Sequence, residues 1–216
     1  YYAEQHGLTI NEAKVTSTDS DLTGIVTGMR GAGVKVIVLT TTPGQTASAL
    51  AANTALGLNV PVLGNNPTFD PALLDTPAAG ALGNLYVSAS NAPFSSPNPK
   101  AVEVTTRYKE AYPDSPLNAG VTTGYTEGVV WQNVLEAACE AGDLSRAGVK
   151  NALTTLTEVD SEGLVDVLDY SSPGAPPTRG VYIAQVDATA EGGLREVAPL
   201  FTAPDAETYV APFQEG

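Results

Sequence analysis

The stretch VKVIVLTTTPGQTASAL, residues 34–50, decides the fold. Its first six residues are β-branched or apolar apart from Lys35, and read as a buried strand. Thr40, Thr41, Thr42, Pro43 and Gly44 turn the chain. An alanine-rich run then reads as a helix, stopped by Gly57. A second short strand follows in VPVLGNN, residues 60–66. Strand, helix, strand is one step of a parallel sheet. It sets two polar loops side by side at the carboxyl ends of neighbouring strands, where open α/β sheets bind ligands.

The same rhythm extends both ways. Upstream, Thr18, Asp19, Ser20 and Asp21 form an N-cap cluster. Leu22, Ile25, Val26 and Met29 then give an apolar helical stripe. Residues 1–6 read as a helix ending at Gly7, and residues 8–15 as a strand. Downstream, residues 70–74 read as one helical turn and 85–90 as a strand. Residues 91–99, rich in Pro, Ser and Asn, form a connector. Three helices are predicted after it: 99–112 with Pro99 in its first turn, 122–141, and one capped by Asp143, Leu144 and Ser145. Residues 164–170 and 180–186 read as strands, 171–178 as a proline-rich loop, and the tail as irregular.

The chain has 216 residues, of which 43% are hydrophobic, enough to build a core. Its 24 acidic and 10 basic residues leave a net charge of −14 with no basic cluster, which excludes nucleic acid as a partner. Anionic membrane surfaces are disfavoured for the same reason. No apolar run is long enough to span a membrane. The chain opens on Tyr1, Tyr2, Ala3, Glu4 and Gln5 without a methionine, as if in mid-helix. A segment upstream is therefore expected, and with it exposed apolar surface that this segment would cover.

Catalytic chemistry finds little support. His6 is the one histidine, and no Gly-x-Ser-x-Gly elbow is present, so no Ser-His-Asp triad is expected. His6 reads as a helix-end cation or a solvated residue. One Cys and one His cannot close a zinc site. Glu158, Asp160 and Glu162 read as a solvated turn. Gly24, Gly28, Gly31 and Gly33 precede a strand, the wrong order for a dinucleotide fingerprint. No metal, cofactor or enzymatic activity is expected. Cys139 is either a buried small hydrophobe or half of a disulfide whose partner lies elsewhere. Trp131 reads as core.

The residues that could hold a ligand lie in the polar loops. Thr41, Thr42 and Pro43 open a helix, where hydroxyls and free N–H groups suit an anionic or carbonyl-bearing group, or simply cap the helix. Asn66 can donate and accept, and Phe69 could pack on an apolar ligand body; a plain turn is the alternative for both. Tyr125, behind Gly124 at the start of the longest helix, faces a cleft or caps the core.

Several runs, in order, resemble the type 1 periplasmic-binding-protein family, and within it the leucine/isoleucine/valine-binding branch of ABC-transporter solute receptors. They are residues 21–39 with Met29, Gly31 and Gly33; Gln45 through Leu56, Gly57 and Leu58 to Gly64; Gly83 to Ser88; Asn98 and Pro99 to Tyr112; Gly124 and Tyr125; and Ala138 to Ser145 with Val149 and Leu153. The resemblance implies a two-lobed α/β fold with parallel sheets flanked by helices, here with an incomplete N-terminal lobe. Residues 1–90 would belong to the second lobe, 91–178 to part of the first, and 179–216 to the return and tail. It implies a monomeric receptor outside the cytoplasmic membrane, secreted or lipid-anchored, that closes over a small ligand by a hinge motion and is read by a membrane permease. The ligand would meet Thr41, Thr42, Pro43 and Asn66 from the second lobe and Tyr125 from the first. Amino-acid binders of the family tend to carry an acid where Asn66 stands. A neutral residue there weakens capture of an ammonium, leaving a branched-chain amino acid, an amide or a small carboxylate as ligand. A regulator's ligand-sensing domain would share the fold, and an enzyme with catalytic residues upstream is a third reading.

Overall fold

The computed structural model describes residues 1–211 and Gln214. The chain divides into two compact units and passes between them three times, after Ala89, Tyr182 and Val197. The first unit comprises residues 1–89 and 183–197, the second 90–182 and the rest.

A five-stranded sheet has the order β1-β2-β3-β4-β5: Ile37–Leu39, Val62–Asn65 and Leu85–Ala89 of the first unit, then Val181–Val186 and Leu194–Phe201, which include the crossings after Tyr182 and Val197. β1, β2 and β3 pair in parallel, with Leu39 beside Gly64 and Gly64 beside Val87. α1 (Tyr2–Gln5) and α2 (Thr23–Gly31) precede β1, and α3 (Pro43–Ala55) joins β1 to β2. The expected stripe on α2 is present: Leu22 and Val26 are buried, and Ile25 and Met29 are half-buried. Ala49, Leu50 and Ala52 of α3 are buried, as are Ile37, Leu39 and Val62 of the sheet. Its buried Asn53 receives the Val60 N–H at 3.2 Å and donates to the Val60 carbonyl at 2.9 Å, which ties the helix end to the entry of β2. A buried amide so paired carries little desolvation penalty.

The second unit contains α4 (Pro99–Ala111), α5 (Ala119–Glu140), α6 (Arg146–Leu153) and α7 (Pro204–Thr208). α4 is capped by Asn98, whose carboxamide oxygen accepts from Lys100 and Ala101 N–H groups at 2.8 and 3.0 Å. α5 starts three residues before its predicted position because Asn118 caps it through the Gly120 N–H. Val134, Ala138 and Ala152 form the α5–α6 core, joined by Val149, Leu153 and Leu156.

Several expectations fail for physical reasons. Residues 8–15 form no strand: Leu8 and Ile10 are exposed, and no neighbour supplies a ladder. Residues 164–170 contribute one isolated bridge, Val159 with Leu168, because Val165 and Leu168 pack in a small apolar cluster instead of a ladder. The tail holds β5 and α7. Trp131 is 57% exposed and Cys139 is an exposed free thiol. The buried face of α5 is Thr122, Thr126, Val134 and Ala138, which leaves both outside it. Apolar exposure elsewhere includes Tyr2, Val38 and Val102.

Candidate functional site

The register of β1 against β2 brings the loops after Leu39 and after Asn65 together at the carboxyl end of the sheet. The first loop is fixed by a capping box. Thr42 Oγ1 accepts the Gln45 N–H at 3.5 Å, and Gln45 Oε1 accepts the Thr42 N–H at 3.1 Å. Gln45 Nε2 then donates to the Thr16 and Asp19 carbonyls at 2.8 and 3.0 Å, so one buried side chain orders the helix start and the preceding segment together. The Thr41 and Thr46 hydroxyls lie 2.8 Å apart. Pro43 occupies the first helical position, where its missing N–H costs nothing.

The second loop is a 3₁₀ turn over Asn66–Thr68. Thr68 is fully buried and its hydroxyl donates to the Asn65 carbonyl at 2.6 Å. Between the loops lies a cavity of about 380 Å³, lined by Val15, Thr16, Ser17, Thr40, Thr41, Thr42, Pro43, Gln45, Asn65 and Pro67. No ionisable side chain is among them. The α3 N-terminus adds the positive end of a helix dipole beside this neutral, hydroxyl-rich lining. Chemically, the arrangement favours a carboxylate or carbonyl oxygen and offers an ammonium no carboxylate partner.

Thr41, Thr42 and Pro43 are thus brought together in one lining. Asn66 sits between lining residues Asn65 and Pro67 without being one of them. Phe69 is 8% exposed, and its ring packs over Gly193 beside Leu74, so it supports the loop from the core side. Tyr125 is a half-buried residue of α5, in the second unit. Near it, the Lys100 ammonium is held by Glu103 at 2.6 Å and Glu162 at 2.8 Å. The Glu103 bond first, and the Glu162 bond second, push its pKa above the usual lysine range, with a smaller contribution from Tyr125. Sequence reasoning missed Gln45, Asn65 and the 15–17 segment. The signal for Gln45 was readable, since Thr42-x-x-Gln45 is a capping-box spacing. Among the described residues, no group of three or more His, Cys, Asp or Glu could hold a metal ion, and no helix is long and apolar enough to cross a membrane.

Residues 1–193 match the family model described as periplasmic binding protein. The chain belongs to that family. A fatty acid ABC transporter substrate-binding protein from Thermomonospora curvata is 33% identical, with a TM-score of 0.92; the match covers 98% of this chain and 55% of that one. A branched-chain amino acid ABC transporter protein from Thermus thermophilus with bound valine is 19% identical over 95% of this chain and 56% of its own, with a TM-score of 0.72. The leucine-binding protein of Thermotoga maritima shares 20% identity over 94% of this chain and 54% of its own, again with a TM-score of 0.72. These likenesses agree in architecture: mixed α/β, with a mostly parallel sheet flanked by helices. The chain spans about 55% of the length of these solved relatives. A search of curated protein sequences gives no match.

Proposed function

We propose that this periplasmic-binding-protein chain carries the solute-binding surface of an extracytoplasmic receptor that delivers its ligand to an ABC-transporter permease. The receptor acts as a monomer, secreted or lipid-anchored, and binds without chemical change. The observation that carries this reading is the neutral, hydroxyl-lined cavity at the carboxyl ends of β1 and β2, where Thr41, Thr42 and Pro43 meet the α3 N-terminus. Asn66 is the neutral group near the ligand's polar end. Phe69 acts by holding the Asn66 loop.

The ligand we favour is a monocarboxylate with an apolar body and no ammonium. The lining has no acid to pair with an ammonium. The 33%-identical relative is described as a fatty acid receptor. A thermal-shift panel tests this on the full chain, with valine, leucine, acetamide, urea, benzoate and 3-methylbutanoate. A ligand at a hundred times its Kd stabilises by about 2.7 kcal/mol. Benzoate or 3-methylbutanoate should raise the midpoint, and Thr42→Val should abolish the shift. A shift confined to valine and leucine would mean that the loops accept a zwitterion, and the monocarboxylate assignment would fall. No shift with any solute would remove the support for the receptor reading.

A further inference from the structure

A capping box is completed by Glu or Gln alike. Position 45 needs the amide. Gln45 Oε1 accepts the Thr42 N–H, while Nε2 donates to two carbonyls, Thr16 at 2.8 Å and Asp19 at 3.0 Å. The carboxamide has one workable orientation, since turning it over would set nitrogen against an N–H and oxygen against two carbonyls. The side chain is 6% exposed, so bulk water does not replace a lost partner. The two carbonyls belong to a turn that closes on itself. The Asp19 N–H donates to the Thr16 carbonyl at 3.1 Å, and the Asp19 carboxylate accepts the Thr16 N–H at 2.6 Å. The Thr16 and Thr18 hydroxyls lie 2.9 Å apart. Gln45 thus joins a self-contained turn to the start of α3. Thr16 and Ser17 of that turn line the same cavity as Thr41, Thr42 and Pro43. Further along, the Leu22 N–H donates to Ser48 Oγ at 2.9 Å, outside the lining.

We propose that Gln45 is the positioning residue of the solute site, and that the Thr16–Asp19 turn is a third ligand loop which this one side chain sets against the other two. The proposal rests on the solute-binding reading of the cavity. A Glu at 45 separates positioning from mere packing. Protonated, it keeps the Thr42 bond and donates one bond to a carbonyl; ionised, it donates none and faces two carbonyl oxygens. Burial and those oxygens favour the neutral acid and raise its pKa. Residues 36–69 contain no ionisable side chain. The segment bearing the turn carries Lys14, Asp19 and Asp21; the two acids act in the same direction as burial, and Lys14 against it. Of the other elements packed on α3, α2 brings Arg30 in its last turn and the 70–75 turn brings Asp70 and Asp75, none of them lining the cavity. The competent form of Gln45→Glu therefore exists below its raised pKa and is lost as pH rises through it.

Isothermal titration of benzoate into the full chain, well below the thermal midpoint, reads affinity apart from stability. Gln45→Met keeps the length of the side chain and loses all three bonds, and should weaken benzoate about tenfold at every pH. Gln45→Glu should bind within about threefold of the parent near about pH 5.5 and lose about tenfold by about pH 8.5, while benzoate stays an anion and the parent's affinity stays level. Ser48→Ala should lower the thermal midpoint and leave the dissociation constant unchanged. Parent-like affinity in Gln45→Met overturns the proposal. So does an equal loss in Ser48→Ala, or a pH profile of Gln45→Glu that runs parallel to the parent's. A parent that binds neither benzoate nor 3-methylbutanoate would remove the solute-binding reading by itself, and the positioning of the turn is then decided by hydrogen exchange without solute. The amides of residues 16–19 should exchange faster in Gln45→Met than in Ser48→Ala; equal protection in the two overturns the role given to Gln45.

Discussion

Gly64→Ala is expected to destabilise the protein by about 2–3 kcal/mol, lowering the thermal midpoint by roughly 5–10 °C. A methyl group at position 64 would lie 2.1 Å from Thr68 Oγ1, 2.7 Å from its Cβ and 2.8 Å from its Cγ2. A rotamer change cannot relieve a clash that includes the Cβ, so the backbone of the Asn66–Thr68 turn must move. That turn is fixed by the buried Thr68 and its hydrogen bond to the Asn65 carbonyl. The effect is a steric one, because Gly64 has no left-handed backbone to protect. The displaced turn carries Asn66 and Pro67, so ligand-induced thermal shifts should shrink with stability. Thr68→Gly in the Gly64→Ala background removes all three clashing atoms. Denaturant unfolding of the four proteins in this cycle should show a favourable coupling of about 1 kcal/mol or more. Strict additivity would mean that the contact is not the cause. Gly44→Ala is the matched control: nothing lies within 4 Å of a methyl group there, and alanine suits a helix start, so stability should hold or rise slightly.

What the sequence disclosed was what local physics decides. The α2 stripe, the stop at Gly57 and the cap at Ser145 each depend on neighbours within a few residues, and all appear where their spacing places them. The parallel pairing of β1 and β2 was also legible, because a strand-helix-strand order admits little else. Non-local decisions were hidden. Leu8 and Ile10 alternate like a strand, but a strand is completed by a partner that residues 8–15 do not find. β5 was masked by Pro199, which reads as a breaker and is tolerated because β5 is the outer strand. Trp131 was assigned to the core by composition. Which side of α5 faces inward is set by Val134 and Ala138 meeting Ala152 of α6, a contact that helical periodicity alone cannot reveal.

The site follows the same division. Thr41, Thr42 and Pro43 were legible as a hydroxyl-rich helix start, and the capping role that the sequence left open beside ligand contact is filled by Thr42. Phe69 was not: an aromatic after a polar turn suits a ligand wall and a core plug equally, and only Gly193 opposite its ring decides for the core. The capping box holds the threonine-rich loop in place. Thr42 and Gln45 are paired with each other, and the Thr41 and Thr46 hydroxyls with one another, so the proposed solute would meet a preformed surface. Preformed donors bind without the entropy of being ordered, which favours small ligands with few contacts.

Gly148→Ala should be the most damaging single change in the second unit, costing about 3 kcal/mol. A methyl group at 148 would fall 2.1 Å from the Asp143 carbonyl oxygen and 2.4 Å from its Cγ. Asp143 has little freedom to withdraw. Its N–H donates to the Ala138 carbonyl at 3.0 Å, closing the end of α5, and Gly142 before it has φ +70°. Its carboxylate accepts the Ser145 N–H at 2.9 Å, and this bonding holds its pKa below the usual aspartate value. Ser145 Oγ in turn accepts the Gly148 N–H at 3.2 Å as the cap of α6. The clash therefore strikes the joint between α5 and α6 at its most constrained point. α6 should fray first, seen as faster hydrogen exchange of its amides and a lower urea midpoint. An unchanged urea midpoint would show that the α5–α6 joint yields to a methyl group, and that Asp143 is not the anchor its bonds describe.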